Sequence, residues 1–339
     1  MNQPAFIVIA EKIHCTRVFK REGKLVTQRP DGGHAIVYSA NGQTRYLPVP
    51  EIFLTSSEWL KGNVKHCAVA VWQGLYGDAA GQAAGADYIR SLSLAQEKAG
   101  GGFLDVNVDE FSTHLEERRR AMLWTANIVQ GASRLPLSID SSTPSILRTG
   151  LEACDRSRGR PMINSVSLER MEAVGLAAEF GACVVASAAG EKGLPASTAE
   201  RLTNLARLIP LLKKGGVPDD AIYIDPLVFP IATDSANGLS FLEAVRAFRA
   251  LYGMQIHITG GFSNVSFGMP GRKIINQTFT YLAVEAGADS GIVDPGQING
   301  TVLAATDPTS ESFRLARALL LGEDEFGMEF ITASRDGRI

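Results

Sequence analysis

A chain of 339 residues that is 45% apolar and 20% charged can bury a large core, and its length suits either one α/β barrel or two smaller domains. The formal net charge is −3 and the basic residues are dispersed apart from Arg118 to Arg120, so the electrostatic footprint of a nucleic-acid or membrane-surface partner is missing. Four scattered cysteines without a C-x-x-C pair exclude a zinc ribbon and a redox motif, and with neither a leader pattern nor a long apolar run the chain is expected to be cytoplasmic.

In chain order, Phe6 to Ala10 (FIVIA) has the unbroken β-branched character of a strand buried on both faces, and it is expected to end at Glu11. Residues 1–14 are thus the segment that holds the first barrel strand. Residues 15–80 are too long for a tight strand-to-helix loop and are taken as an insertion in it. Within this insertion, AIVYSANGQTRYLPV alternates on both sides of Asn41-Gly42, the signal of a two-residue hairpin.

From residue 81 to 322 the chain is rhythmic. Strands are predicted at Phe103–Val108, Leu135–Asp140, Pro161–Asn164, Ala182–Ser187, Ala221–Asp225, Ile256–Thr259 and Ser290–Val293, each followed by a helical pattern. With the first strand this makes eight strand-helix units, the count of a single (β/α)8 TIM barrel carrying a hairpin-containing insertion after its first strand. A doubly wound sheet fits less well, since no G-x-G-x-x-G follows the first strand. Residues 323–339 form a tail without a clear pattern.

In such a barrel the site lies at the carboxyl ends of the strands. Here those ends carry Glu11, Asp105 and Asn107, Asp140, Asn164, Ser187, Asp225, then Ser263, Asn264 and Ser266, and Asp294. Helix capping does not account for Asp140, upstream of Thr143-Pro144, for Asn164, upstream of Ser167, or for Asp225, which precedes a proline and an apolar run. Several carboxylates at one mouth also suit an oxygen-bound divalent ion, but the histidines lack H-x-H or H-E-x-x-H spacing and no metal is expected. Carboxylates and amides spread over several strands suit a neutral heterocycle whose edge offers N–H donors and C=O acceptors, such as a pterin.

Six ordered segments carry a resemblance: GGFLDVNVDE, SIDSSTPSILRTGL, RPMINSVSLER, AIYIDPLVFP, GFSNVSFGMPGRKIINQTF and GADSGIVDP, with a weaker echo at Ala10 to Ile13. They cover Gly101 to Pro295. The chain resembles the pterin-binding barrels, most closely the methyltetrahydrofolate:corrinoid methyltransferases. The resemblance implies that Asp140, Asn164 and Asp225 hydrogen-bond the pterin, that Asn264 approaches the N5 bearing the methyl group as the catalytic residue, and that Arg272 belongs to the pocket. It also implies tetrahydrofolate or 5-methyltetrahydrofolate as substrate, a corrinoid (cobalamin) on a separate partner protein, and a homodimer. Two features depart from the family pattern, the 15–80 insertion and the Gly268 to Gly271 spacer before Arg272. A dihydropteroate synthase is disfavoured because Asp109 and Glu110 stand where such enzymes bind a diphosphate. The residues leave two further readings open: a methyltransferase whose insertion binds a methylated small molecule, and a non-catalytic pterin-binding scaffold.

Overall fold

The computed structural model describes residues 6–339, so the first five residues of the expected first segment lie outside it. The amino-terminal apolar run forms β1 (Ile7–His14), which continues three residues beyond its expected end. Glu11 does not stop the strand, because its buried carboxylate receives Arg17 Nη2 at 2.6 Å. The other barrel strands are β2 (Phe103–Asn107), β3 (Leu137–Asp140), β4 (Met162–Val166), β5 (Cys183–Ser187), β6 (Ile222–Asp225), β7 (His257–Ile258) and β8 (Ser290–Val293). They form one eight-stranded sheet in the order β7-β6-β5-β4-β3-β2-β1-β8. The sheet closes where Ile292 N donates to Gly260 O at 2.9 Å and Asp289 N to Ile258 O at 3.2 Å, giving an α/β TIM barrel.

Of the described residues, two compact units form, one comprising 6–10, Ala99–Gly102 and Met162–Ile339, the other Glu11–Lys98 and Phe103–Pro161. In the first, the helices Glu172–Phe180, Thr198–Lys214, Asn237–Tyr252 and Arg272–Ala286 alternate with the strands. Gly291 on β8 leaves room for the Phe262 and Phe6 rings, which an added Cβ would meet at 2.9 Å. The helix after β4 begins at Glu172 with Met171 at its cap, so Ser167 is not the cap that the sequence suggested. The tail left unassigned holds a helix, Met328–Arg335, whose first amides are taken by Asp324 through Glu329 N at 3.1 Å and Phe330 N at 2.9 Å.

In the second unit, helices Ala79–Lys98, Leu115–Ala132 and Pro144–Ala153 accompany β2 and β3. The insertion has a narrow neck, Val18–Lys20 paired antiparallel with Asn63–Lys65. Beyond the neck, His34–Ala40 pairs with Gln43–Pro48 across Asn41 and Gly42, both at positive φ (51° and 74°), the backbone of a type I′ turn. Val26–Gln28 adds a third strand to that hairpin. No helix among the described residues is long and apolar enough to cross a membrane.

Candidate functional site

In the second unit the strand register does the positioning. Asn107 pairs with Asp140 across β2 and β3, so both side chains end at one level, and the Asn107 side chain hydrogen-bonds the Asp140 carboxyl. Asp105 lies two residues upstream, fully buried, with Oδ2 2.8 Å from Nε2 of His14. Burial and the Asp105 charge push the Asp140 carboxyl up to about 7, against His14 and Asn107, which lower it. For His14 burial is the largest influence and lowers the pKa, but the Asp105 hydrogen bond with the Asp105 and Asp140 charges outweighs it, and the imidazole is held above its ordinary value.

Ligand atoms of His14, Asp105 and Asp140 lie within 4.8 Å of one another, a spacing that also admits a divalent ion. His14 is hydrogen-bonded to Asp105, and Asp140 to the Asn107 side chain. Asp109, on the loop after β2, accepts Ser142 N and Ser142 Oγ, each at 2.8 Å, and Ser141 Oγ at 2.5 Å. This carboxylate therefore braces the loop that follows Asp140. Glu11 is committed to Arg17, whose Nε also donates to the Glu11 carbonyl at 2.7 Å.

In the first unit, Ser187 and Asp225 pair across β5 and β6, again ending the strands at one level. Ser187 Oγ accepts Ala189 N at 3.3 Å, a local turn. Asp225 Oδ1 accepts Leu227 N at 2.8 Å. Asn164 sits opposite Val185 where the β4–β5 register shifts, an irregularity of the kind that re-aims a side chain at a strand end.

After β7 the chain enters a 3-10 turn, Phe262–Ser266. Asn264 is half-buried on this turn, and its side-chain amide makes no hydrogen bond to another described residue. The Arg272 guanidinium folds back on the same turn, with Nη2 2.9 Å from Ser263 O and Nε 3.0 Å from Ser266 Oγ, while its Cζ lies 4.6 Å from the Phe267 ring centroid. Arg272 and Ser266 thus shape the segment that carries Asn264. Asp294, after β8, closes its own turn through Gly296 N at 2.9 Å and Gln297 Nε2 at 3.1 Å.

Two buried charged or titratable residues near the strand ends escaped the sequence reasoning. His14 lies past the expected end of β1. Arg201 sits on the buried face of Thr198–Lys214 with Leu205, Leu208, Ile209 and Leu212, and this spacing is the signal that would have singled it out. The insertion contributes a cavity of about 250 Å3 walled by Phe53, Trp59, Trp72 and Phe111, with Glu58, Lys65 and Glu110 at its polar side.

The fold, with strand-terminal carboxylates and amides, defines a pterin-type barrel. Residues 80–294 match the family model described as pterin binding enzyme, and the chain belongs to that family. It is similar to the methylcorrinoid:tetrahydrofolate methyltransferase of Eubacterium limosum, 31% identical over 257 residues that cover 74% of this chain and 89% of that protein. It is also similar to the methionine synthase of Mycobacterium tuberculosis, 33% identical over 230 residues, 62% of this chain but only 19% of that much longer protein. Among solved structures, dihydropteroate synthase from Xanthomonas albilineans in complex with 7,8-dihydropteroate superposes with a TM-score of 0.53 at 19% identity, covering 65% of this chain and 83% of that one, a likeness of fold.

Proposed function

We propose that the protein is a methyltransferase that moves a methyl group between N5 of tetrahydrofolate and the cobalt of a corrinoid carried by a separate protein, serving as the folate-dependent step of a demethylation pathway. The observation that carries this is the position of Asn264, half-buried after β7 on a turn that Arg272 ties down through Ser263 and Ser266. The similarity over 89% of a methylcorrinoid:tetrahydrofolate methyltransferase supports it.

The chemistry asked of the chain is modest. Asp140, Asn164 and Asp225 bind and orient the pterin, a carboxylate accepting the parallel N–H donors of N3 and the exocyclic amine. N5 is a poor leaving group while it carries no proton or hydrogen bond. As the methyl group leaves for cobalt the N–C electron pair stays on N5, which takes up a proton from solvent, and an amide N–H of Asn264 strengthens its contact as that charge grows, a stabilisation made mainly in the transition state. In the opposite direction the N5 lone pair takes the methyl group, the bonding pair stays with the partner's cobalt, the N5 proton is released to solvent, and Asn264 orients N5. Cobalt supplies the methyl-accepting or methyl-donating centre on the partner. We further infer a cytoplasmic homodimer.

The testing experiment is a spectrophotometric assay of cob(I)alamin with methyltetrahydrofolate, and of methylcobalamin with tetrahydrofolate. Transfer in either direction is expected. Tight pterin binding with no transfer to free or protein-bound corrinoid would overturn the reading in favour of a scaffold.

The insertion cavity favours a second reading, in which Trp59, Trp72 and their neighbours take a methylated small molecule as donor. Saturable quenching of tryptophan fluorescence by such a donor, lost in Trp72→Ala, would support it.

A further inference from the structure

Arg201 is buried to 2% exposure in the first turn of Thr198–Lys214. That helix is firmly started: Ser197 Oγ accepts Glu200 N at 3.2 Å, and Glu200 Oε2 accepts Ala196 N at 2.8 Å. The guanidinium donates to Ser240 Oγ and, at 3.4 Å, to the Leu227 carbonyl, and it lies 5.3 Å from the Phe229 ring centroid. Among the described residues its Nε has no hydrogen-bond partner, and Asp225 acts on it through its charge and not through a direct contact. A buried cation without a direct counter-ion is costly, and an aromatic face offsets only part of that cost. Such an arrangement calls for a use.

Leu227 supplies the link. It has a φ of 70°, rare for a leucine, and it is bonded on both sides: its N–H goes to Asp225 Oδ1 at 2.8 Å, its carbonyl to Arg201. We propose that Arg201 is a positioning residue for pterin recognition, which through Leu227 holds the Asp225 carboxylate in place and by its charge keeps it in the form that accepts hydrogen bonds. The proposal rests on Asp225 being a pterin ligand.

Burial pushes the Asp225 carboxyl up to about 6, and the Leu227 N–H and the Arg201 charge work against that rise. Burial likewise lowers Arg201, opposed by Asp225. Charged groups on the neighbouring elements are engaged elsewhere: His257 with Asp289, Arg272 with Ser263 and Ser266, Arg207 with Glu191, Lys213 with Asp219, and Asp234 with the Ala236 amide. Ser187, paired with Asp225, is uncharged.

The test uses the full chain labelled with 13C at aspartate carboxyls, with Asp225→Asn to assign the Asp225 signal. In Arg201→Met the ligand-free Asp225 midpoint is expected to rise by about one pH unit, and in Arg201→Lys to return toward wild type. Methyltetrahydrofolate affinity of Arg201→Met should match wild type at pH 8 and fall off at a higher pH than wild type as the solution is acidified. An unmoved midpoint in a natively folded variant, or an affinity loss independent of pH and equal in Arg201→Lys, would overturn the proposal. Should Arg201→Met not fold, Ser240→Ala, which removes one anchor of the guanidinium, is expected to move the midpoint the same way by less, and an unmoved midpoint there would likewise count against it. A wild type that binds no methyltetrahydrofolate would sink the pterin reading and the recognition role with it, while a shifted midpoint would still support the Arg201–Asp225 coupling.

Discussion

Nε2 of His14 lies 2.8 Å from Oδ2 of Asp105, and this buried pair stands beside Asp140, whose carboxyl is pushed up to about 7. Both groups bind protons more tightly in the folded chain than their ordinary values of about 6.5 and 3.9 imply. For His14, the stabilisation is complete below about 6.5 and is lost as pH rises through the higher folded value. For Asp140, a raised carboxyl makes ionisation a cost, absent below about 3.9, growing with pH and complete above about 7. The two add in the same direction. Thermal melts at pH 5.5 and 8.5 should show the protein less stable at the alkaline value. Asp140→Asn should gain ~1–2 kcal/mol at pH 8.5 and flatten the difference, while pterin binding by calorimetry falls at least tenfold. An Asp140→Asn variant with wild-type pterin affinity would remove Asp140 from the site.

On the proposed mechanism, in which the amide acts mainly as charge develops on N5, Asn264→Ala should lower kcat about a hundredfold and change the pterin Kd by less than about threefold. Single-turnover transfer alongside calorimetry separates the two quantities. Equal losses in both would make Asn264 a binding residue.

Arg272→Ala removes the two hydrogen bonds that tie the helix start to Ser263 and Ser266. Hydrogen exchange of the 262–267 amides should quicken, and kcat should fall by less than in Asn264→Ala. Unchanged exchange would show that the turn holds itself.

Gly85 lies where the helix Ala79–Lys98 crosses His66–Tyr76, and an added Cβ would meet the Ala70 carbonyl oxygen at 2.4 Å. A backbone oxygen cannot swing aside, so Gly85→Ala should cost about 1–3 kcal/mol. Gly131, in Leu115–Ala132, has nothing within 4 Å of its added Cβ, and Gly131→Ala should be neutral or stabilising by up to about 1 kcal/mol. Urea titration of the pair checks the contrast.

The barrel was readable because short, mainly apolar stretches rich in polar residues at their carboxyl ends alternate with helical patterns, and that feature also nominated Asp140, Asn164 and Asp225. Asn41-Gly42 announced its hairpin because two consecutive residues at positive φ strongly favour that dipeptide. What the sequence concealed depends on tertiary partners. Glu11 looks like a strand end until Arg17 neutralises it, and His14 looks like loop until Asp105 is beside it. Arg201 looks like a solvated helix residue unless its place on an apolar face outweighs its charge. Ser167 suggested a cap, yet the chain spends four more residues before the helix at Glu172. The helix Met328–Arg335 is short, and its start is fixed by Asp324 from outside the helical pattern.

The neck formed by Val18–Lys20 and Asn63–Lys65 brings the two ends of the insertion side by side, with Lys20 opposite Asn63. A segment tethered this way resembles an attachment plugged into a socket: the chain leaves and returns at nearly one point, so the entropic penalty of its length falls on the attachment itself. Residues 21–62 are therefore the part of this protein that could be trimmed to a tight turn, or exchanged for another module, without rethreading a strand of the barrel.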